Sequence, residues 1–181
     1  MKLHVSRLIK MIRKNLDGEI LNGAEVGVYR GQTSADLLQV FPSLRLHMVD
    51  LWQADHSEMG EKNQDYWDGV YTDAIVATSP FQDRGRLWRM SSQDAAKLYL
   101  DDDHTFLDFV FIDADHHYES VKADILSWVW LVRRGGLICG HDYNGKNEKA
   151  GIWGVKRAVD EIFGSAVMVD QAALLWGVVL Q

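Results

Sequence analysis

Apolar residues recur along this chain with two spacings, one typical of α-helices and the other of buried β-strands. Residues 1–18 show the helical spacing, with most basic side chains of the segment lying away from the apolar stripe. The apolar positions of this predicted helix are Val5, Leu8, Ile9, Ile12 and Leu16. Because Gly18 interrupts the pattern, we expect an N-terminal helix that ends there and packs on the core.

Beyond Gly18, short apolar runs alternate with helical patterns to the end of the chain. The pattern predicts strands at residues 24–28, 45–49, 87–90, 106–112, 137–140, 166–169 and 174–180. It predicts helices at residues 33–41, 93–100, 120–131 and 155–163. Such alternation is typical of a doubly wound α/β fold, in which helices cover both faces of a mostly parallel sheet. The last two strands, separated by a short turn near Asp170, predict an antiparallel hairpin.

The chain is predicted to form one domain over residues 1–181, because it has only two prolines and no low-complexity run. Its least regular stretch, residues 52–81, follows the second predicted strand. We expect this stretch to be a lid or substrate-selecting loop, with a helix at Tyr66–Thr78. Its histidine and acidic residues match no standard metal-site spacing, so a solvated polar face is the favoured interpretation.

The net charge and the cysteine content indicate which partners the protein can bind and in which compartment it is expected. The formal net charge of −7 disfavours nucleic acid as a partner, because surfaces that bind phosphate are normally basic. The single cysteine, Cys139, lies in an apolar run and is expected to be a buried small side chain. No apolar run approaches the ~18 residues that span a bilayer. We therefore expect a cytoplasmic protein without a membrane partner.

Residues 24–38 have the layout of a strand, a glycine turn and the start of a helix. The turn runs from Glu25 through Gly27 to Gly31. Tyr29 stands where the dinucleotide fingerprint needs its second glycine for the pyrophosphate to approach. The pattern E-x-G-x-x-x-G instead suits S-adenosylmethionine, which has no pyrophosphate. The alternative is a strand–turn–helix unit with no ligand.

Further candidates for cofactor contacts lie near this turn. Asp50 ends the second predicted strand, where its carboxylate could accept both ribose hydroxyls. Leu51 and Trp52 follow it and could flank the adenine, while Thr33 lies at the start of the helix after the turn. Ser92, after the third strand, is predicted either near the adenine edge or as the N-cap of the next helix.

A second group of polar residues follows the fourth and fifth predicted strands. Asp113 ends one strand and Asp142 the next, so both carboxylates should emerge at the carboxyl edge of the sheet, where ligands bind. Asp113 is therefore a candidate for contact with both cofactor and metal. Two carboxylates suit Mg²⁺, Mn²⁺ or Ca²⁺, and His141 could add a nitrogen. Alternatively, the aspartates only cap helices or pair with arginine.

From Glu25 onwards, these motifs resemble the class I S-adenosylmethionine-dependent methyltransferases. Residues 111–143, FIDADHHYESVKADILSWVWLVRRGGLICGHDY, resemble the metal-assisted small-molecule O-methyltransferase branch, which includes macrocin-type sugar O-methyltransferases and cephalosporin-hydroxylase-like proteins. The resemblance implies a Rossmann-like sheet of seven strands with a reversed C-terminal hairpin, S-adenosylmethionine as cofactor, and Mg²⁺ or Mn²⁺. It also implies an acidic or amide residue beside Asp142. Here the neighbours are His141 and Tyr143, which favours Mn²⁺, Fe²⁺ or Zn²⁺.

The base that removes the acceptor proton must lie within hydrogen-bond reach of the acceptor. Asp115, His116 and His117 are the candidates beside the predicted metal site. Asp115 matches the proposed base of the sugar O-methyltransferases, and His116 falls where the catechol-type enzymes carry a lysine. Histidine titrates nearer neutrality than aspartate. We therefore favour Asp115 or His116 over His117 as the catalytic base.

Together these features predict a methyltransferase that acts on a hydroxyl of a small molecule with help from a divalent metal. The alternatives are a metal-dependent hydroxylase or hydrolase on the same fold, and a cofactor-binding protein without catalysis. Because the compact chain leaves little room for a cap domain, a homodimer whose second subunit completes the acceptor pocket is a further hypothesis.

Overall fold

The computed structural model describes residues 1–53, 62–102, 105–144 and 153–181. Seven strands form a single sheet. They are β1 (Asn22–Val26), β2 (Arg45–Asp50), β3 (Gly85–Arg89), β4 (Leu107–Ile112), β5 (Val132–Gly140), β6 (Met168–Asp170) and β7 (Leu175–Val179). The α-helices of the described residues are α1 (Leu3–Asn15), α2 (Gln32–Val40), α3 (Gln64–Thr78), α4 (Ser92–Asp102), α5 (Tyr118–Trp128) and α6 (Val155–Phe163).

The strand order is β3-β2-β1-β4-β5-β7-β6, which confirms the predicted mostly parallel α/β sheet. Strands β1 to β5 run parallel, while β7 pairs antiparallel with both β5 and β6. The predicted hairpin is therefore present, but its reversed strand lies inside the sheet and β6 forms the edge. Because the chain reverses its winding direction between β1 and β4, the carboxyl ends of these two strands border a crevice.

Side chains of alternate strand residues separate the core into two layers. Leu46, Phe109 and Phe111 point to the layer covered by α1, α2 and α3. Val49, Val110 and Ile112 point to the opposite layer, covered by α4, α5 and α6. Since successive side chains of a strand point to opposite faces, each buried strand must be apolar at nearly every position. This explains the continuous apolar runs of the sequence.

The amino-terminal edge of the sheet is tied together by Asp108. Its carboxylate accepts hydrogen bonds from the backbone N–H groups of Leu21 and Asn22 at 2.8 and 3.0 Å. The Nε of Arg133 donates to the same side chain at 2.7 Å. These bonds connect the starts of β1, β4 and β5. They lie at the edge opposite to the crevice, so they stabilise the sheet without touching a ligand site.

Several predicted boundaries differ from the observed ones. Strand β1 ends at Val26, because the chain turns at Gly27 with a φ of +92°. Strand β5 begins at Val132, five residues before the predicted start at Leu137, because Val132 pairs with Leu107 before an irregularity in which β5 has the extra residues. Helix α5 begins at Tyr118 instead of Ser120, and a 3₁₀ turn replaces its predicted last residues 129–131.

The stretch at residues 52–81 contains more regular structure than predicted. Helix α3 starts at Gln64 and buries Trp67, Val70 and Ala74 in the core layer of α1 and α2. The histidine and acidic positions at 55, 56, 58 and 61 lie outside the described residues. The role of this stretch as a lid stays a prediction.

Two other expectations concern burial. Cys139 is fully buried, and its Sγ contacts the carbonyl oxygen of Val110 at 3.3 Å, as expected for a small core side chain. Burial raises the pKa of its thiol, which makes it a poor nucleophile. No helix in the described part of the chain is long and apolar enough to cross a membrane.

Candidate functional site

The glycine turn after β1 contacts the residues that follow β4. The backbone N–H of Asp113 donates to the carbonyl of Val26 at 2.7 Å, and that of Gly27 donates to Val49 at 2.8 Å. A Cβ on Gly27 would lie 2.2 Å from the carbonyl oxygen of Asp113 and 2.6 Å from the Cα of Ala114. Only glycine therefore fits, for reasons of both space and backbone conformation.

Glu25 lies beneath the turn rather than in it. Its side chain is 1% exposed and accepts a short hydrogen bond from the Oγ of Ser34 in α2. Burial raises the pKa of this carboxyl to about 8, an effect that the Ser34 bond partly offsets and the charges of Asp113 and Asp50 reinforce. Glu25 thus ties the end of β1 to α2. The sequence analysis did not single out Ser34. Its position in the first turn of α2, close after Glu25 in the chain, is the feature that could have indicated this contact.

Asp50 at the end of β2 holds the glycine turn from the other side. Its Oδ2 accepts hydrogen bonds from the backbone N–H groups of Val28 and Tyr29 at 3.0 and 2.9 Å. Its Oδ1 accepts from the N–H of Trp52 at 3.0 Å. A carboxylate offers about four acceptor positions. Three are therefore used to shape the turn, and ribose binding by this carboxylate stays a prediction.

The start of α2 offers backbone donors to the crevice. The first N–H groups of any helix have no partner within it, and Gly31, with a φ of +76°, precedes this helix with no capping side chain from the described residues. The donors include the N–H groups of Gln32 and Thr33. Since a helix N-terminus favours negative charge, this position suits the carboxylate of an amino-acid group. The side chain of Thr33 is half-buried here.

The two residues predicted to flank the adenine have different surroundings. Leu51 is 44% exposed and open to a ligand. Trp52 is fully buried, and its ring lies 4.7 Å from that of Tyr71 with the planes tilted by 52°. Its Nε1 donates to the carbonyl of Tyr29 at 2.7 Å. Trp52 therefore supports the turn from the core and cannot face a ligand in this arrangement.

Ser92 is the first residue of α4, and its neighbour is the N-cap. Ser91 Oγ accepts from the N–H of Asp94 at 3.1 Å and donates to the Asp94 carboxylate at 2.7 Å. The Oγ of Ser92 accepts from the indole N–H of Trp128 at 2.9 Å. Burial raises the pKa of Asp124, which also bonds with Ser92, to about 6. The predicted contact of Ser92 with the adenine edge stays a prediction.

Asp113, His141 and Asp142 come together at the carboxyl ends of β4 and β5. Each offers one ligand atom, and these atoms all lie within 4.8 Å of one another. The Nδ1 of His141 lies 2.8 Å from the Oδ2 of Asp142 and 3.6 Å from the Oδ1 of Asp113. Because divalent ions bind such atoms at about 2.0–2.6 Å, a single cation can reach all three. The donor set therefore fits a divalent metal.

His116 belongs to the same cluster. Its Nε2 lies 3.0 Å from the Oδ2 of Asp142 and 3.8 Å from the Oδ1 of Asp113. Burial opposes the charged form, but hydrogen bonds to both carboxylates raise the pKa of His116 to about 10. The same contacts, together with His141, hold the pKa of Asp142 well below its usual range despite its partial burial. The ring of His116 also stacks on Trp153, with centroids 4.2 Å apart.

Asp115 and His117 lie outside this cluster. The Oδ1 of Asp115 lies 2.7 Å from the Nδ1 of His117, and both side chains are substantially exposed. Although burial opposes it, hydrogen bonds from Ser120 and His117 lower the pKa of Asp115. The structure therefore brings His116 to the predicted metal ligands and leaves Asp115 on the adjoining loop.

His4 of α1 is a member of the site that sequence reasoning missed. Its ring lies 5.0 Å from that of His141, measured between centroids. Burial and the proximity of His141 lower the pKa of His4, although Asp113 and Asp142 act in the opposite direction. No sequence signal pointed to His4, because nothing in the first helix shows what its N-terminal end approaches.

Sequence comparison identifies a protein family for the part of the chain that forms this site. A profile described as a methyltransferase domain matches residues 24–143, which hold the glycine turn and the carboxylate cluster. No curated protein matches the chain.

Solved structures share the fold at low sequence identity. A candidate caffeoyl-CoA O-methyltransferase from Staphylococcus aureus has a TM-score of 0.68 and 13% identity, over 98% of this chain and 82% of its own. An O-methyltransferase from Bacillus cereus, solved with SAH, has a TM-score of 0.61 and 15% identity, with coverage of 99% and 91%. The MycE methyltransferase of the mycinamycin pathway, solved with Mg, SAH and mycinamycin VI, has a TM-score of 0.62 and 15% identity, with coverage of 96% and 48%.

Proposed function

Because the chain belongs to the methyltransferase domain family and is an S-adenosylmethionine-dependent methyltransferase, we propose that it transfers the methyl group to a hydroxyl of a small molecule with the help of a divalent metal. The observation that carries this proposal is the contact between the glycine turn and the group formed by Asp113, His116, His141 and Asp142, called here the carboxylate–histidine cluster. Gly27 packs directly on the backbone of Asp113, so the predicted cofactor turn and the predicted metal ligands border one crevice.

The residues of the turn are suited to hold the cofactor. Asp50 bonds to the backbone of the turn, and Glu25 bonds to the Ser34 side chain of α2 beneath it. The start of α2 leaves its first N–H groups for the amino-acid part of the ligand. Leu51 offers an exposed apolar surface beside Asp50. The cofactor itself supplies the sulfonium-bound methyl group. The protein contributes alignment, because a displacement of this kind requires the acceptor oxygen in line with the methyl carbon and the sulfur.

Asp113, His141 and Asp142 would hold the metal. When bound, a divalent cation would supply Lewis-acid chemistry that lowers the pKa of a neighbouring hydroxyl. His116 holds its proton near neutral pH as long as two carboxylates face it without a cation. A cation that neutralised those carboxylates would remove the cause of the raised pKa, and the imidazole of His116 could then accept a proton. Asp115, already ionised, is the alternative base.

The surface charge and the shape of the site support a small acceptor. A formal net charge of −7 opposes binding of nucleic acid. Trp153, stacked on His116, lies beside the cluster as a flat surface for a sugar or an aromatic ring. Two of the structural neighbours described above have names or titles that refer to small molecules, caffeoyl-CoA and mycinamycin. A homodimer that completes the acceptor pocket is part of this proposal.

Methyl transfer to a panel of catechols, sugars and polyols tests the function. We expect formation of S-adenosylhomocysteine that needs an added divalent metal and stops with a chelator. Asp142→Asn should lower the rate by about 10²-fold or more while retaining S-adenosylhomocysteine affinity, since Asp142 would be a metal ligand and even outer partners of metal ligands contribute about 10–100-fold to affinity or activity. Asp50→Ala should weaken that affinity instead. Asp83→Asn, at an exposed position, is the matched carboxylate-to-amide control.

Two outcomes would contradict parts of the proposal. Binding of S-adenosylhomocysteine without transfer to any acceptor would favour a cofactor-binding protein without catalysis. Transfer that is unaffected by both the chelator and Asp142→Asn would remove the metal from the mechanism.

A further inference from the structure

The imidazole of His4 faces the carboxylate–histidine cluster from a different part of the fold. Helix α1 buries Val5, Leu8 and Ile9, which lie in the core layer that also contains Cys139 of β5 and Leu175 of β7. Val5 is fully buried, so the backbone next to His4 is held against the core. This places the ring of His4 beside that of His141. The N-terminal helix is therefore positioned to add an imidazole to a site otherwise made by β4 and β5.

The spacing of the two rings suits a shared ion. Their centroids are 5.0 Å apart and their planes are tilted by 51°, so the rings are not stacked on each other. With metal–nitrogen bonds of about 2.0–2.1 Å, two imidazoles at a tetrahedral angle have centroids about 5 Å apart. The negative charges of Asp113 and Asp142 also act on the imidazole of His4 and raise its pKa, against the larger effects of burial and His141.

We propose that His4 is a further protein ligand of the metal, and that the site consequently selects a transition-metal ion over Mg²⁺. The proposal rests on the metal site of the proposed function. Asp113, His141 and Asp142 form the centre of the donor set. His4 would add a second imidazole from beside His141, and His116 lies next to Asp142. Mg²⁺ prefers oxygen ligands, whereas imidazole suits Fe²⁺, Ni²⁺, Cu²⁺ and Zn²⁺.

A titration of the metal-free, untagged full chain with Co²⁺ tests this without cofactor or acceptor. Visible absorption of Co²⁺ reports its coordination, and competition with Zn²⁺ and Mg²⁺ reports selectivity. We expect Zn²⁺ to displace Co²⁺ and Mg²⁺ to fail at a hundredfold excess. His4→Ala should weaken Co²⁺ binding by at least about tenfold and change the spectrum, because even outer partners of metal ligands contribute about 10–100-fold to affinity.

His117→Ala is the matched control, since it removes an exposed imidazole that bonds to Asp115 outside the cluster. It should bind Co²⁺ like the wild type. Circular dichroism of metal-free His4→Ala checks that α1 is intact, which we expect because His4 is not among the buried residues of this helix. His4→Gln, a polar replacement of similar size, provides a second variant if the alanine variant unfolds.

Unchanged Co²⁺ affinity and spectrum in the folded His4 variants would overturn the proposal, as would equal competition by Mg²⁺ or a wild type that binds no Co²⁺. These results are separate from the proposed function. An enzyme that methylates hydroxyls with Mg²⁺ and ignores the His4 substitution would refute this inference alone. Conversely, Co²⁺ binding through His4 without any methyl transfer would refute the proposed function alone.

Discussion

Gly27 occupies the position where the smallest side-chain change should have the largest effect on the site. Its φ is +92°, and its missing Cβ leaves room for the backbone of Asp113. Gly18 has a similar φ of +83° but no atom within 4 Å of where a Cβ would lie. The two glycines therefore share the same conformational requirement and differ only in their surroundings.

Substituting these glycines separates strain from steric clash. Gly18→Ala should lower the free energy of unfolding by about 1–2 kcal/mol, the cost of a left-handed alanine. Gly27→Ala should cost about 1–3 kcal/mol more, because the backbone at Asp113 must move. It should also abolish S-adenosylhomocysteine binding. Urea unfolding and calorimetry measure both. Equal destabilisation by the two substitutions would show that the contact with Asp113 does not constrain the turn.

At the scale of elements, α3 packs on the glycine turn and so connects residues 52–81 to the crevice. A Cβ on Gly31 would lie 3.1 Å from the Cα of Ala74, which is fully buried on α3. The hydroxyls of Tyr29 and Tyr66 are 2.7 Å apart, and Arg30 forms an ion pair with Asp73. Movement of α3 should therefore be transmitted to the turn.

Enlarging the contact between α3 and the turn tests this connection. Ala74→Leu should destabilise the protein by about 1–3 kcal/mol through overpacking. It should also weaken S-adenosylhomocysteine binding by about tenfold, which corresponds to about 1.4 kcal/mol. Val76→Leu on the same helix is the control, since Val76 is 66% exposed. A loss of stability without a loss of affinity would mean that α3 does not position the turn.

At the scale of the whole molecule, buried acids make stability depend on pH. Burial raises the pKa of Glu25 to about 8 in the folded protein, against an ordinary value of 4.5. Its protonated form is therefore favoured by folding. The stabilisation is complete below pH 4.5 and is lost as the pH rises towards 8. Burial also raises the pKa of Asp124, to about 6, so its contribution to stability is likewise lost as the pH rises towards 6.

Glu25→Gln should flatten this pH dependence. The variant and the wild type should have similar free energies of unfolding at pH 4, because Glu25 is protonated there in the folded protein and mostly protonated in the unfolded chain. At pH 8.5 the variant should be more stable by on the order of a few kcal/mol, since each pH unit between the two pKa values contributes about 1.4 kcal/mol. Chemical denaturation at both pH values measures the difference. Parallel profiles would show that Glu25 is ionised in the folded protein.

Much of the fold could be predicted because strand and helix spacings are local. The alternation of apolar runs predicted seven strands and the helical layers, and the family and enzyme class were confirmed. The ends of elements were less accurate, since the start of β5 at Val132 depends on pairing with Leu107. The convergence of Asp113 and Asp142 followed from their places after neighbouring parallel strands. Their roles, like those of the other site residues, stay predictions.

The sequence by itself determined the class of fold, the glycine turn and the set of acidic residues at the strand ends, because these depend on spacing along one chain. Only the tertiary structure decided which side chains face the crevice. It buried Trp52 and Glu25 beneath the turn and brought His116 to Asp142. It also brought His4 to His141, which lies far from it in the sequence. Such contacts depend on how helices pack against the sheet, which no local pattern encodes.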